Sequence, residues 1–238
     1  FYMEILRGVG RLFGNFFIGG IGGEFFSGIR GWEPDMSYSG EAYVDEKNLM
    51  DIQVISTLGL TDNDVSAIEE VDGIAAAEGG YSVDALCTDG ENQITIHVMS
   101  LLPAMNQVQV EEGRLPEAAD ECAMDVDYLN ESSLEVGDTI TLSSGSEDEI
   151  TDSLGTDTFT IVGAVSSPCY IGLQRGSTTI GDGSVTAFLT VPEESFTLDV
   201  YTEICVQVEG AKDLTAFTDV YDDRGEEVID CYEATKEE

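Results

Sequence analysis

Residues Glu112–Leu142 read EGRLPEAADECAMDVDYLNESSLEVGDTITL, and after a polar insert Phe159–Val165 reads FTIVGAV. Gly113-Arg114-Leu115-Pro116 predicts a turn that leads into an acidic linker and a mixed apolar segment. Gly137-Asp138 then turns the chain into a predicted strand, Thr139 to Leu142, and Phe159 to Val165 predicts another. Glycine supplies backbone freedom in such turns and proline ends strand pairing. The insert from Ser143 to Thr158, SSGSEDEITDSLGTDT, reads as a polar loop. Nothing in this stretch is a catalytic signature. It describes a β-rich body built from short strands and sharp turns.

The flanks extend that body. Tyr38 to Asn48 reads as a short polar helix or loop. Met50 to Leu58 (MDIQVISTL) alternates and is β-branched, as a strand should be. Thr61 with Asp64 three residues on is close to a capping box, and Val65, Ile68 and Val71 or Asp72 give the stripe of the helix it starts. Ile74 to Leu86 and Gln93 to Ser100 predict two strands joined by a hairpin turn at Thr88-Asp89-Gly90-Glu91. Val108 to Val110 predicts a short strand before Gly113. Ser166 to Ser184 is a second loop; its apolar Tyr170-Ile171-Gly172-Leu173 is either an exposed contact patch or tucked beneath the domain. Strands follow at Val185–Val191, ending at Pro192, and at Val200–Val208. From Ala211 a helix is expected, with Leu214, Phe217 and Val220 or Tyr221 on one face. The sum is an α+β domain. A strand-helix-strand start and a strand-helix end predict one sheet built from both chain ends, with the β-rich middle forming a second part.

The composition narrows the function classes. The chain has 238 residues, 42% hydrophobic, and a formal net charge of −39 from 48 acidic and 9 basic residues. That is enough apolar mass for a packed core. Such a charge repels nucleic acid and anionic lipid surfaces at long range. The acids are spread along the chain, so they describe a solvated acidic surface. Metal or cationic-peptide binding is compatible with that surface but not specified by it. Five cysteines, Cys87, Cys122, Cys169, Cys205 and Cys231, are widely spaced with no C-x-x-C. Zinc is therefore not indicated, and the reading is mostly buried free thiols.

Residues 1–31 differ from the rest. Arg7 and Arg11 precede an apolar, Gly-rich run, Leu12 to Ile29, whose length would just cross a bilayer as a helix. Basic residues in front and acidity behind place the N-terminus in the cytoplasm. Gly10/Gly14 and Gly19/Gly23 have the small-xxx-small spacing of helices that approach closely in membranes. Against this, Glu24 costs about +2.5 kcal/mol on the insertion scale, beside roughly −3 to −5 kcal/mol from the large apolar residues. A cleaved signal peptide and a docked amphipathic helix are the rival readings.

The chain carries no P-loop, no H-E-x-x-H and no G-x-S-x-G. His97, in QITIHVMS, is its only histidine; alternation places it with Thr95 opposite Ile94, Ile96 and Val98, as a partly exposed strand residue without catalytic partners. Thr61 to Gly73 superficially suggests a calcium loop, but Ala67 stands at the turn glycine and Gly73 at the terminal glutamate. No catalytic, cofactor-binding or metal residue is assigned.

The order of these parts resembles the extracytoplasmic, MacB-like periplasmic core domain of FtsX-like ABC transporter permeases, of the sort common in Gram-positive bacteria. Gly113, Arg114 and Pro116 match that family's G-R-x-P turn; Val136, Gly137 and Asp138 match its V-G-D turn; Phe159 to Val165 matches its F-x-I-V-G strand. The resemblance implies a mixed-sheet domain at 32–222, with a porter-like part and an inserted β-rich subdomain at approximately 101–194. One transmembrane-like helix at 1–31 precedes it, and a helical stalk begins at 223–238. It implies a non-catalytic domain without cofactors, held outside the cell membrane. There it couples ATP hydrolysis by a cytoplasmic ABC ATPase to export or mechanotransmission. Implied partners are further permease helices or a second permease copy, the membrane, and a lipid, peptide or cell-wall hydrolase, but no nucleic acid. Family permeases have several transmembrane helices and this chain has at most one, so it reads as part of such a permease. The alternative is a membrane-anchored extracellular binding or adhesion module.

Overall fold

A computed structural model describes residues 42–89, 92–145, 148–172, 174–214, 218, 221, 223–226 and 228–229. The transmembrane-like segment at 1–31, Gly90 and Glu91 of the hairpin turn, Leu173, Phe217, Val220 and the stalk end with Cys231 lie outside the described residues. Residues 42–46 are helical. The strands that follow, in chain order, are β1 (Ile52–Leu60), β2 (Ile74–Gly80), β3 (Ser82–Asp89), β4 (Asn92–Ser100), β5 (Gln109–Gly113), β6 (Glu121–Asp125), β7 (Thr139–Ser143), β8 (Thr158–Ser166), β9 (Ala187–Val191) and β10 (Tyr201–Val208). Helix α1 (Asp62–Glu69) follows β1, and α2 (Val126–Glu131) follows β6.

The chain ends do meet in one sheet. The last strand, β10, lies between β1 and β2 and runs antiparallel to both. One face of this three-stranded sheet carries Leu60, Ala77, Ile204 and Val206, on which Ile68 of α1 packs. The helix starts where the sequence places it: the Asp64 carboxylate accepts from the Thr61 backbone N–H (2.8 Å) and from its hydroxyl (2.7 Å), a local cap that satisfies an otherwise orphaned donor.

The other strands form a sheet in the order β5-β8-β6-β9-β4-β3-β7, and β7 also pairs with β8. The ring from β8 through β6, β9, β4 and β3 to β7 therefore closes as a six-stranded barrel, with β5 added beside β8. Alternation fills it: Ala85, Cys87, Ile96, Val98, Cys122, Met124, Phe159, Ile161, Ala187 and Leu189 share one buried core. Closure removes the unpaired edges that would otherwise face solvent.

The three sequence motifs meet at β8. Gly113 of the G-R-L-P turn is the register partner of Gly163 of F-T-I-V-G. Gly113 has φ +73°, and a Cβ on it would collide with the Val162 carbonyl; a Cβ on Gly163 would collide with the carbonyl of Arg114. Both glycines are needed because two backbones touch there. The V-G-D turn binds the same strand: Gly137 N–H donates to the Ile161 carbonyl (2.8 Å) and Ile161 N–H to the Asp138 carbonyl (2.9 Å). Short motifs far apart in sequence are thus one joint.

Four expectations need correction. Ile74 to Leu86 is two strands: at Tyr81 the chain passes from the three-stranded sheet into the barrel, because Ser82 N–H is taken by the Thr202 hydroxyl (2.7 Å) and Tyr81 N–H by that of Ser100 (3.0 Å). The mixed apolar segment after Pro116 holds β6 and α2; buried Cys122 to Asp125 covers both faces of β6, so no alternation announces it. The polar insert has apolar anchors, since Ile150 and Leu154 are buried in the barrel core. The helix from Ala211 is one 3-10 turn, Ala211–Asp213, after which Leu214 is extended (φ −103°, ψ 146°); helical residues resume at 221, 223–226 and 228–229.

Candidate functional site

Alternation along β4 puts Ile96 and Val98 inside the barrel and leaves His97 and Met99 on its outer face. The neighbouring β9 adds Phe188 and Thr190 to that face, by parallel pairing of His97 with Phe188 and Met99 with Thr190. Two chain segments cover it incompletely. One is the strap that leaves β4 at Leu101 and reaches β5. The other is the loop that follows β8. Between them and the three-stranded sheet lies a cleft of about 400 Å³.

The strap is sewn onto the outer face of the three-stranded sheet by polar groups. The Glu78 carboxylate accepts from the backbone N–H of Ala104 and of Met105 (3.0 Å for Met105). Asn106 N–H donates to the Asn48 carbonyl (2.9 Å), and the Asn106 amide oxygen accepts from Met50 N–H (2.9 Å). Met105 is thereby buried. On the sheet itself, the Gln53 amide donates to the Glu203 carboxylate, and both line the cleft.

The loop is fixed by a buried ion pair. Arg175 donates to Asp125 through Nε (2.7 Å) and Nη2 (3.1 Å), and to Asp127 through Nη2 (2.7 Å). Its Nη1 donates to the Gly172 carbonyl. The bond to Asp125 raises the Arg175 pKa, with burial working against it. Above this pair Tyr170 stacks on Phe188 with centroids 4.9 Å apart. The apolar loop motif is therefore divided: Tyr170 is tucked in, and Ile171 is 60% exposed. Sequence reading missed Arg175; the available signal was a lone base, in a loop, in a chain with only 9 basic residues.

His97 has a partner that sequence did not give it. Asp84 is directly opposite in the β3–β4 hairpin. His97 Nδ1 and Asp84 Oδ1 are 2.6 Å apart, and Thr178 donates to Asp84 Oδ2 (2.6 Å). The hydrogen bond from His97 lowers the Asp84 pKa, against the opposing effect of burial. With Nδ1 so engaged, Nε2 is the ring nitrogen left for other contacts.

The thiol in the cleft is not activated. Cys169 lines the cleft, but burial pushes its thiol up to about 11, so it stays protonated and a poor nucleophile at neutral pH. Burial likewise raises Cys122 to about 12 and raises Cys205. Cys87, Cys122 and Cys205 are buried, as expected. Among the described residues no group of three or more His, Cys, Asp and Glu side chains could hold a metal ion. Thr61 to Gly73 is the capped helix and the turn into β2, not a calcium loop. Among the described residues, too, no helix is long and apolar enough to cross a membrane. What the cleft offers is apolar wall, the Glu203 carboxylate, the His97 imidazole and hydrogen-bonding groups.

No family model and no curated protein matches the sequence. Solved structures are similar to it. One is the extracellular domain of the noncanonic ABC-type transporter YknZ from Gram-positive bacteria: 13% identity over 71% of this chain and 87% of that one, TM-score 0.39. Another is the periplasmic region of MacB from Actinobacillus actinomycetemcomitans: 13% identity, 75% of this chain and 76% of that one, TM-score 0.38. Both of these structures are extracellular or periplasmic regions.

Proposed function

We propose that this chain is the non-catalytic extracytoplasmic domain of an ABC transporter permease of the FtsX-like, MacB-like kind. In that role it receives motion through its chain ends, driven by ATP hydrolysis on a cytoplasmic partner. The observation that carries the reading is topological: β1, near the entrance of the domain, and β10, at its exit, are adjacent strands of one small sheet, and the barrel is inserted between them. A displacement applied to the segments before β1 and after β10 acts on a single three-stranded element. The cleft lies where that element faces the barrel, so its width is the natural output of such a displacement. The joint formed by Gly113, Gly137 and Gly163 supports the same reading, since it explains why the three family-like motifs occur together. The porter-like part corresponds in this proposal to the three-stranded sheet with α1, and the inserted part to the barrel. Residues 1–31 would provide the membrane-anchoring helix.

The test is purification of the native gene product from detergent-solubilised membranes, with mass spectrometry of what accompanies it. A stoichiometric P-loop ATPase is the expected companion. A product recovered from membranes without any ATPase sinks the transporter reading and leaves a surface-anchored binding module.

A further inference from the structure

We propose that the cleft beside β4 binds a soft monovalent metal ion, copper(I), through the His97 imidazole, the Met99 thioether and the Cys169 thiolate. Met50, from the chain just before β1, supplies a second thioether. All four side chains line the same cleft of about 400 Å³. The site does not depend on the transporter reading.

The chelate starts on β4. His97 and Met99 are two residues apart on the outer face of one strand, which sets them about 7 Å apart. From that separation an imidazole and a long thioether can share one ion, since a d10 metal bonds nitrogen and sulfur at about 2.0–2.3 Å. The imidazole is already oriented. Asp84 Oδ1 is 2.6 Å from Nδ1, and Thr178 donates to the other carboxylate oxygen (2.6 Å). A carboxylate behind a histidine fixes the ring and makes the opposite nitrogen a better donor, the usual arrangement around a metal-ligating histidine.

The sulfur atoms complete the site. Met99 and Tyr170 pack on the same small cluster of Ala123, Val165 and Phe188. Cys169 precedes Tyr170 directly, so chain connectivity keeps its thiol close to Met99. Met50 is anchored by its backbone N–H, which donates to Asn106 Oδ1 (2.9 Å). The four side chains are half-buried, so an ion can reach them and each thioether can turn about its three torsions. Burial pushes the Cys169 thiol up to about 11; the ion displaces that proton to solvent as the copper–sulfur bond forms.

This donor set selects the metal. Among the described residues no three His, Cys, Asp or Glu side chains form a metal site, so the thioethers are indispensable. Thioether and thiolate are soft donors and favour copper(I), whereas calcium and magnesium need several oxygens. Glu203 is the one carboxylate among the lining residues, and it already accepts from Gln53. Zinc would find one imidazole and one thiol, short of its usual four ligands. Leu101, Leu102 and Leu115 make the surroundings apolar, which penalises a divalent ion more than a monovalent one.

The test is an anaerobic titration with copper(I), buffered by bicinchoninate and read by the resonances of methyl-labelled methionine. At the first equivalent the Met99 and Met50 methyl signals are expected to shift, while those of buried Met105 and Met124 stay in place. Met99→Leu, which keeps the volume and removes the donor, should weaken binding about tenfold. Asp84→Asn, which removes the carboxylate behind the imidazole, should also weaken it about tenfold. Copper(I) bound with the Met99 signal unmoved would overturn the proposal, because the ion then sits on cysteine alone. Zinc(II) bound in the cleft as tightly as copper(I) would overturn it too. Near-ultraviolet circular dichroism checks the fold of each variant, and the wild-type methyl shifts decide the matter if a variant does not fold.

Discussion

The barrel and the three-stranded sheet are built by opposite means. In the barrel, strands close on themselves and sixteen buried residues form one core, many with no exposed surface at all. Among the described residues the sheet buries five in the cluster beneath its eight-residue helix and three more, Val208, Ala211 and Val228, in a second small cluster. Its other face is held by backbone and carboxylate hydrogen bonds to the strap, through Glu78, Asn48 and Asn106. Three strands with so small a buried core are near the lower limit of independent stability. A closed barrel gains from every strand having two neighbours. The contrast predicts rigidity in the inserted part and compliance in the three-stranded sheet.

Several substitutions can break or sharpen that contrast. The largest effect is expected from Phe159→Ala, which empties a fully buried site in the barrel core and should cost about 3–5 kcal/mol. Chemical denaturation measures it; a loss near 1 kcal/mol would mean that the barrel collapses around the gap and is not the rigid part.

Next comes Arg175→Ala, which leaves Asp125 buried without its partner and should cost about 3 kcal/mol. The loss should also be local. Tyr170 should detach from Phe188, visible as a change in aromatic ring-current shifts, while β1 and β2 amides keep their protection. If those amides lose protection as well, barrel and sheet are one unit and the comparison fails.

Glu78→Gln should act on the sheet and not on the barrel. It weakens the acceptor for Ala104 and Met105 and should cost about 1 kcal/mol. Native-state hydrogen exchange should show faster opening of β1 and β2 with β4 and β9 unchanged. Uniform acceleration would contradict a compliant sheet on a rigid barrel.

The smallest effect concerns pH. The hydrogen bond from His97 holds the Asp84 carboxyl below its ordinary value of 3.8. A carboxylate whose native pKa is depressed contributes stability above the unfolded value and loses it as pH falls through the native value. The melting-temperature difference between wild type and Asp84→Asn should therefore be constant near neutrality and shrink in acid, below about pH 4. A difference that grows in acid would mean that the Asp84–His97 contact opposes folding.

Local chemistry was legible in the chain. The cap at Thr61, the alternation of β4 and β10 and the glycine turns each rest on interactions within a few residues, so a reader of the sequence meets all the participants together. The union of chain ends also followed, from the order of strand and helix patterns. Longer-range features did not. The switch at Tyr81 lies inside one continuous pattern, because both sheets ask for the same alternation. β6 has no period, since both of its faces are buried. Arg175 and Asp125 are fifty residues apart, and nothing local marks them as a pair. His97 could be assigned to the outer face of its strand, but its partner depended on the hairpin register.

The sequence by itself determined most of the strands and their glycine turns, which faces are apolar, and that the surface is acidic, because backbone geometry and side-chain periodicity act over short spans. Only the tertiary structure decided that six strands close into a barrel, that Gly113 and Gly163 meet, and that a cleft opens beside His97, Met99 and Glu203. Those outcomes depend on register and on contacts between residues distant in the chain, and a linear pattern does not contain the distances between them.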